Sequence, residues 1–511
     1  MSTSSDDTHR GSSHRSDPLR AGDERLTFSS SAVTVPGLGP TAATGSVRSG
    51  AMSIMKADTA RADWGFFGLL AFTTVLLVRP QDQVPALTPF HVAEICALLG
   101  VIPMLLYRHA RGFPIFRATP ETIGLMLFGL VIAATIPFSI WPGDAFREFT
   151  DSYLKVLVIF VLMTNTLTTR RRLERLVWVI VLCVGFIAAR GVFDYARGVN
   201  LIEGGRLTGS VDGLFGNPND LALVMVTFLP AAAVVAISRR HRPWRRAIAA
   251  VIMGLMLASV VFTKSRGGVI GLVMMLIALV VLGRRVRPGI GVVIVAALLG
   301  ASPFIPSSFW VRMTSIVDDE QDQSRFTGSK EARRIVMQEG ITAFLERPLT
   351  GVGIGQFKNY NPPWRKEKWR ETHNAVIQVA AETGVGGLFA FVFLILLAAF
   401  STAASLRTLR RRRQKRQVAA AGVPRAGDLS AADRDALYGH AVAMSASLVG
   451  WFTCAMFASV AYSWTFYYLL ALIVAGRELA HGRASLVPSG RKWKAATPRE
   501  TSFRPVVPGV A

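Results

Sequence analysis

Long apolar runs alternate with short polar gaps along this chain, from about Trp64 to about Gly476. About twelve of the runs are long enough, as helices, to cross a bilayer core roughly 30 Å thick. The pattern predicts an all-α, polytopic integral membrane protein with about twelve transmembrane helices. The predicted spans cover residues 63–79, 90–107, 121–140, 153–168, 176–196, 219–238, 247–263, 268–283, 289–305, 376–402, 438–457 and 461–477.

The polar segments divide the chain around these spans. The first and last segments hold no apolar run, which is typical of disordered tails. Residues 1–62 are predicted to form a cytoplasmic tail, and residues 63–305 to carry spans 1–9. Residues 306–375 are predicted to form a large outer loop. Residues 376–477 are predicted to carry spans 10–12, with a basic cytoplasmic loop at 403–437, and residues 478–511 to form a second cytoplasmic tail. Within the outer loop, a helix is predicted over about 330–346, ending before Pro348.

Arginine and lysine are concentrated in every second gap between the spans. The basic gaps are residues 108–118, 169–175, 239–246, 284–288 and 403–437, and the gaps between them carry far fewer cations. Because cytoplasmic loops of membrane proteins carry the excess of lysine and arginine, the basic gaps are predicted to face the cytoplasm. With an even number of spans, both termini are predicted to be cytoplasmic as well.

Composition narrows the class of protein further. The chain has 511 residues, 51% of them hydrophobic, and a formal net charge of +24. Such a charge can indicate nucleic-acid binding, but here the cations lie in short gaps between apolar runs, so we expect no nucleic-acid partner. Cys96, Cys183 and Cys454 lie inside apolar runs at no disulfide or metal spacing, and they predict small buried hydrophobes.

Two arginines on the predicted outer side stand beside glycines at predicted helix starts. Arg266 lies at the N-terminus of a span, where the helix dipole adds positive potential, and Lys264 adds to that field. Arg206 precedes a helix start at which Asn217 or Asn219 is a candidate N-cap. Two arginines that face one cavity suit the bidentate binding of a diphosphate. An interfacial cation reaching toward lipid headgroups is the alternative explanation for each arginine.

His373 lies where the outer loop re-enters the membrane. It has no Cys, Asp or His neighbour at metal-ligand spacing, so a metal site is not predicted. Since imidazole titrates near neutral pH, a general base that takes a proton from a hydroxyl group is chemically reasonable. A purely structural role is the alternative. Arg147, near another outer span end, could reach the same cavity.

Four segments in this order resemble the O-antigen ligase and O-antigen polymerase superfamily of bacterial membrane glycosyltransferases. They are Arg206 followed by residues 216–219, then residues 263–268, 347–357, and 373–375 leading into 382–387. The resemblance covers roughly residues 140–475 and includes the long outer loop that precedes His373.

The resemblance implies a helical, GT-C-like glycosyltransferase of the bacterial inner membrane that uses a polyprenyl-diphosphate-linked glycan as donor. It implies that Arg206 and Arg266 hold the diphosphate and that His373 deprotonates the acceptor hydroxyl. Further substrate-binding residues would be Lys264, Asn217, Asn219, Asn374 and Arg147. The arginines would supply the charge that a metal ion supplies elsewhere, so neither a metal nor another cofactor is expected.

The sequence leaves two activities possible for a membrane glycosyltransferase, ligase and polymerase, and one alternative outside the glycosyltransferases, a transporter. A ligase would move a finished glycan to lipid A core or to a protein, whereas a polymerase would join one lipid-linked repeat to another. We favour an O-antigen or exopolysaccharide polymerase, because the basic cytoplasmic segments could bind a chain-length regulator or other polysaccharide assembly proteins. A polytopic transporter of a solute or anion is the alternative, but the chain shows no clear inverted repeat.

Overall fold

The structure of this chain, a computed structural model, describes residues 63–202, 204–209, 215–283, 300, 303, 305–314, 329–361, 371–418 and 429–482. The predicted tail 1–62, the basic gap 284–288, most of the predicted span 289–305 and most of the predicted tail 478–511 lie outside these residues. Parts of the outer loop and of the basic loop also lie outside them.

Among the described residues, the regular elements of secondary structure are helices and one small β-hairpin. The α-helices are α1 Trp64–Val78, α2 Pro80–Gln83, α3 Val92–Ala110, α4 Pro120–Thr135, α5 Pro142–Glu148, α6 Lys155–Thr166, α7 Arg170–Ala196, α8 Pro218–Ile237, α9 Pro243–Thr263, α10 Arg266–Gly283, α11 Ser307–Thr314, α12 Ser329–Glu346, α13 Ala375–Val418, α14 Ala431–Ala455 and α15 Trp464–His481. Short 3-10 turns cover Pro85–Phe90, Ile136–Phe138 and Phe357–Asn359, and a π-helical segment, Phe149–Leu154, joins α5 to α6. Strands β1 Leu201–Ile202 and β2 Arg206–Leu207 pair antiparallel.

Seven helices among the described residues are long and apolar enough to cross a membrane. They are Val92–Ala110, Pro120–Phe138, Arg170–Ala196, Pro218–Ile237, Pro243–Thr263, Arg266–Gly283 and Ala375–Arg412. The chain is therefore an all-α protein of the polytopic membrane class. Helices α1, α6, α14 and α15 coincide in sequence with further predicted spans, but they are shorter or more polar than this criterion requires. The count of twelve spans stays a prediction.

Several helices run past the predicted ends of their spans. Helix α7 begins at Arg170, α13 continues to Val418 through the first part of the predicted loop 403–437, and α15 ends at His481. Arginine, lysine and glutamate are good helix formers, so a helix need not stop where its apolar run stops. Helix α12 coincides with the helix predicted over 330–346.

Side-chain contacts show that the basic gaps meet one another at one end of the helix bundle and that the other gaps meet at the opposite end. At one end, the Lys264 ammonium donates to the Gly204 carbonyl at 2.8 Å, which joins two gaps of the predicted outer side. At the other end, Arg170 forms a 2.7 Å ion pair with Asp433, which joins two of the basic gaps. The alternation along the sequence thus corresponds to two ends of the fold. Which end faces the cytoplasm stays a prediction.

The centre of the bundle is formed by α8, α14 and α15, whose side chains are buried on nearly every face. Trp451 of α14 stacks on Phe466 of α15 with ring centroids 4.4 Å apart. Small residues allow α10 to approach α14 closely: a Cβ on Gly271 would lie 2.2 Å from the Cys454 sulfur. Cys454 and the other two cysteines are buried and free, as predicted.

One ion pair is buried at the basic end of the bundle. The Glu121 carboxylate on α4 is fully buried and lies 2.5 Å from the Arg477 guanidinium on α15. The Ser401 hydroxyl on α13 donates to the same carboxylate and lies 2.7 Å from Arg477. Together with Ser401, the pair joins three helices that lie far apart in the sequence.

We expect Arg477→Met to destabilise the protein by about 3–5 kcal/mol, because it leaves a buried carboxylate without its cation. Replacing Glu121 by Gln in the same chain should recover most of that loss. The measurement is the unfolding free energy of the purified protein in detergent. Asp435→Asn is the matched control: Asp435 is 59% exposed and pairs with Arg240, so its loss should cost less than about 1 kcal/mol. Equal effects of Arg477→Met and the control would contradict this account.

Candidate functional site

The hairpin that carries Arg206 is anchored to the end of α7 by one buried carboxylate. Asp194 is 4% exposed and accepts hydrogen bonds from Arg190 at 3.3 Å and from Asn200 at 2.8 Å. The Asn200 carbonyl in turn accepts from the backbone and the hydroxyl of Thr208, at 2.9 and 3.0 Å. Both ends of the hairpin are thereby tied to α7, and Arg206 is held above the bundle. Asp194 and Arg190 form the helical pair that their i, i+4 spacing indicates.

Arg206 reaches the first turn of α8 and the end of α9. Its Nη2 atom lies 3.4 Å from the Asn219 Oδ1 atom, and its Nε atom donates to the Thr263 carbonyl. The same Asn219 oxygen accepts a 2.7 Å hydrogen bond from the Ser265 hydroxyl. Asn217 is the N-cap of α8, with its side chain accepting from the Asn219 N–H at 2.9 Å. Asn219 therefore connects the loop before α8 to the turn before α10.

The turn between α9 and α10 places a second cation beside Arg206. Lys264 adopts a left-handed conformation with φ of 47°, and its ammonium donates to the Gly204 carbonyl at 2.8 Å. Ser265 caps α10, because its hydroxyl accepts from the Gly268 N–H at 3.1 Å. Burial lowers the pKa of Lys264, and the nearby positive charges of Arg312 and Arg206 lower this pKa further.

Arg266 and Arg312 complete a group of four cations. Arg266 is the first residue of α10, is 9% exposed, and donates to the Arg312 carbonyl at 3.4 Å. The Arg312 guanidinium, on α11, donates back to the Lys264 carbonyl at 3.1 Å. We call Arg206, Lys264, Arg266 and Arg312 the cationic cluster. The N-termini of α8 and α10 lie at the same place and add positive potential, an arrangement suited to an anion.

His373 lies at the start of α13 and is held by its neighbours. Its backbone is left-handed, with φ of 49°, and its N–H donates to the Ser459 hydroxyl at 2.9 Å. The Thr372 hydroxyl lies 3.1 Å from the same Ser459 oxygen. Asn374 caps α13 through the Val376 N–H at 2.9 Å. Hydrogen bonds on both sides thus stabilise the strained backbone of His373 and fix the position of its Cα atom, from which the imidazole side chain extends.

The segment between α14 and α15 packs against both His373 and the cationic cluster. The Asn374 amide lies 3.4 Å from the Met456 carbonyl, and Ser459 binds the His373 backbone. On its other side, a Cβ on Gly267 would lie 2.6 Å from the Phe457 Cβ atom, so the start of α10 lies directly against this segment. Residues 456–459 therefore join His373 to the turn that carries Arg266.

A cavity of about 960 Å³ opens beside His373. Its lining includes Asp220, Glu371, Thr372, Glu382 and Ser459. None of the four cations of the cationic cluster is among the described residues that line it. Because Asn219 contacts the cationic cluster and the next residue, Asp220, lines the cavity, the two compartments adjoin at the first turn of α8.

Two segments of the chain match known family models. Residues 251–392 match the family model described as O-antigen ligase. Residues 59–201 match a family of unknown function (DUF5935), and a search of curated proteins found no match. The predicted resemblance to the O-antigen ligase and polymerase superfamily is confirmed.

The segment that matches the O-antigen ligase family model contains part of the candidate site, and the rest of the site lies outside this segment. Arg266, Arg312 and His373 lie within residues 251–392. Arg206 and Asn219 lie between the two matched segments, in a part of the chain that neither family model covers. The cationic cluster is therefore completed only when the hairpin before α8 folds onto the matched segment.

The structure brings some of the predicted site residues together, while His373 and Arg147 belong neither to the cationic cluster nor to the described lining of the cavity. Arg206, Lys264, Arg266 and Asn219 meet in or beside the cationic cluster, whereas Asn217 and Asn374 cap α8 and α13. Arg147 is exposed on α5 and does not line the cavity. In the described part of the chain, no group of three or more His, Cys, Asp or Glu is arranged to hold a metal ion.

Three residues of the site were not predicted. Ser265 could have been found, since a serine directly before a predicted helix start is a strong N-cap signal. Arg312 and Ser459 have no such local pattern. Their roles depend on contacts with residues 48 and 86 positions away, with Lys264 and His373.

Asn219→Asp should weaken binding of inorganic pyrophosphate to the purified protein by at least about tenfold, because a carboxylate beside Arg206 competes for it. Asn217→Asp is the matched control on the same helical turn. Aspartate is as good an N-cap as asparagine, so this variant should keep both the fold and most of the affinity. Calorimetric titration measures both. Equal losses for the two variants would show that the anion does not bind at Asn219.

The lowered pKa of Lys264 predicts a pH dependence of anion binding. As the pH rises through this lowered pKa, Lys264 loses its charge earlier than an ordinary lysine, and pyrophosphate affinity should fall. Pyrophosphate itself becomes more negative over the same range and would otherwise bind more tightly. Lys264→Arg should flatten the decrease, because arginine stays charged. A wild-type affinity that rises steadily with pH would exclude Lys264 from the anion site.

Proposed function

We propose that this protein transfers a glycan from a polyprenyl-diphosphate donor to an acceptor hydroxyl at the outer face of the bacterial inner membrane. The observation that carries the proposal is the convergence of Arg206, Lys264 and Arg266 from two separate loops at two helix N-termini. This is a site for a compact, highly charged anion. The match to the O-antigen ligase family model supports a membrane glycan enzyme, for which that anion is the diphosphate of a lipid-linked donor.

The reaction can be assigned to the residues present. Arg206 and Arg266 hold the diphosphate and stabilise the negative charge that grows as it leaves. His373 takes the proton of the acceptor hydroxyl while the acceptor oxygen attacks the anomeric carbon. A new glycosidic C–O bond forms, the C–O bond to the diphosphate breaks, and polyprenyl diphosphate departs. In this proposal the four cations neutralise the leaving group, so the step needs no metal ion.

The other predicted substrate-binding residues have different roles. Asn219 positions Arg206 and Ser265, while the caps Asn217 and Asn374 orient the helix starts. Lys264 adds charge at the diphosphate. A role for Arg147 in binding substrate stays a prediction. Binding to a chain-length regulator or to other polysaccharide assembly proteins is likewise a prediction from the basic segments.

We expect His373→Gln to lower the rate of glycan transfer by roughly 10²–10⁴-fold, the range typical of removing a general base. Arg266→Lys should also lower it, because lysine cannot make the bidentate contact. The measurement is surface glycan in a deletion strain that expresses each variant at equal level. His109→Gln, an exposed histidine at the opposite end of the bundle, is the control. Normal glycan with His373→Gln would reject the proposed base.

The lipid-linked intermediates of the deletion strain distinguish the activities. Single repeats that accumulate on the polyprenyl-diphosphate carrier indicate a polymerase. Full-length glycan on the carrier, missing from lipid A core or protein, indicates a ligase. If both the lipid-linked pool and the surface glycan are unchanged, the transferase proposal fails and the transporter alternative is supported.

A further inference from the structure

The cavity beside His373 differs in charge from the cationic cluster. Carboxylates outnumber cations along its wall: Asp82, Glu94, Glu148, Asp151, Asp220, Glu371 and Glu382 line it, with Arg79, Lys155, Lys358 and His91. Two of these cations are neutralised within the wall. Arg79 lies 3.2 Å from Asp82, and Lys155 lies within 4 Å of both Glu94 and Asp151. The remaining carboxylates, Glu148, Asp220, Glu371 and Glu382, outnumber the remaining cations, of which Lys358 interacts with Glu371. We call these four carboxylates the acidic interior of the cavity.

Two buried polar side chains lie next to each other in the cavity wall. Glu382 is 3% exposed and Tyr462 is 7% exposed. The Tyr462 hydroxyl lies close enough to the Glu382 carboxyl group to interact with it. Sugar hydroxyls both donate and accept hydrogen bonds, so they can bind to such a pair.

The position of the acidic interior relative to His373 matches that of an acceptor site. Asp220 lies close enough to Glu371 for their charges to interact, and Thr372 lines the cavity directly before His373. On the other side of the first turn of α8, Asn219 contacts Arg206 in the cationic cluster. A diphosphate is attracted to the cationic cluster and is repelled by the cavity when the carboxylates of its wall are ionised. Burial raises the pKa of Glu371, so this repulsion strengthens as the pH rises. His373 is not among the described residues that line the cavity, but it directly follows Thr372, which does, and its backbone N–H binds Ser459, which also lines it.

We propose that this cavity binds the acceptor glycan and selects acceptors whose sugars are uncharged or carry an amino group, against sugars that carry carboxylate, sulfate or phosphate. The inference rests on the proposed transferase function and names the substrate class of the same site. Carboxylates accept hydrogen bonds from hydroxyl and ammonium groups, whereas an anionic sugar would face Asp220 and Glu371 at close range. Unfavourable charge against the wrong ligand is an effective source of specificity.

The volume is adequate for more than one sugar. Cavities that enclose small ligands measure about 300–1,000 Å³, and this one, at about 960 Å³, is near the upper limit. A short oligosaccharide is therefore a better probe than a monosaccharide.

The test compares the affinities of three tetrasaccharides for the full-length protein in lipid nanodiscs. They are chitotetraose, which is neutral, its fully deacetylated form, which carries amines, and tetragalacturonate, which carries carboxylates. Calorimetric titration at low ionic strength should show the neutral and amine forms binding at least about tenfold more tightly than tetragalacturonate. Tetragalacturonate binding as tightly as the others, or no binding by any of the three, would overturn the inference.

Substitutions of cavity carboxylates test whether these residues cause the preference among the three tetrasaccharides. The double variant with Asp220→Asn and Glu371→Gln should bind the amine form more weakly and tetragalacturonate more tightly, so that the two affinities converge. Asp144→Asn, an exposed carboxylate on α5 that does not line the cavity, should behave as the wild type. An unchanged preference in the double variant would place the selecting charges elsewhere and reject the proposal.

Failure of this inference and failure of the proposed function give different results. Sugar binding requires neither a donor nor the base, so His373→Gln should keep the affinity order of the three tetrasaccharides. If the order holds while glycan transfer is unaffected by His373→Gln, the proposed transferase mechanism fails and the binding site stands. If transfer depends on His373 but the order is absent, only the substrate class is wrong.

Discussion

The bilayer interior offers no hydrogen-bond partner to a bare peptide group, and this constraint organises the whole molecule. Peptide groups that cross it are satisfied inside helices, so polar side chains collect at the two ends of the bundle. At one of these ends, α8, α10 and α13 all begin, each with its own cap: Asn217, Ser265 and Asn374. The free N–H groups of three helix starts therefore converge where the chemistry is proposed to occur.

The first turn of α8 separates charges of opposite sign within that end. Asn219 turns toward Arg206 and Ser265, and Asp220 turns into the cavity. Adjacent helical residues point about 100° apart, so a single turn can serve two compartments. This segregation allows an anionic donor and a hydroxyl-bearing acceptor to approach the same boundary without competing for one site. It also explains why an amide rather than a carboxylate at position 219 suits the cationic side.

Part of the candidate site could be predicted from surroundings that are local in sequence. Lys264 and Arg266 could be recognised because a short turn with following glycines starts a helix, and Arg206 because it precedes a capped helix start. Arg312 could not, since its role comes from backbone contacts with Lys264 and Arg266 across a long loop. Arg147 was predicted to reach the same cavity, but its side chain is exposed on α5 and is not among the described residues that line the cavity.

Apolar periodicity and the alternation of arginine-rich gaps determined the helical class, the two ends of the bundle and the end at which the candidate residues lie. These properties follow from hydrophobic matching and charge, which act along the chain. Only the tertiary structure decided that Arg206 meets Asn219 and Lys264, that Ser459 supports His373, and that an acidic cavity lies beside them. These are contacts between segments far apart in sequence, and packing selects among many pairings that the same sequence pattern allows.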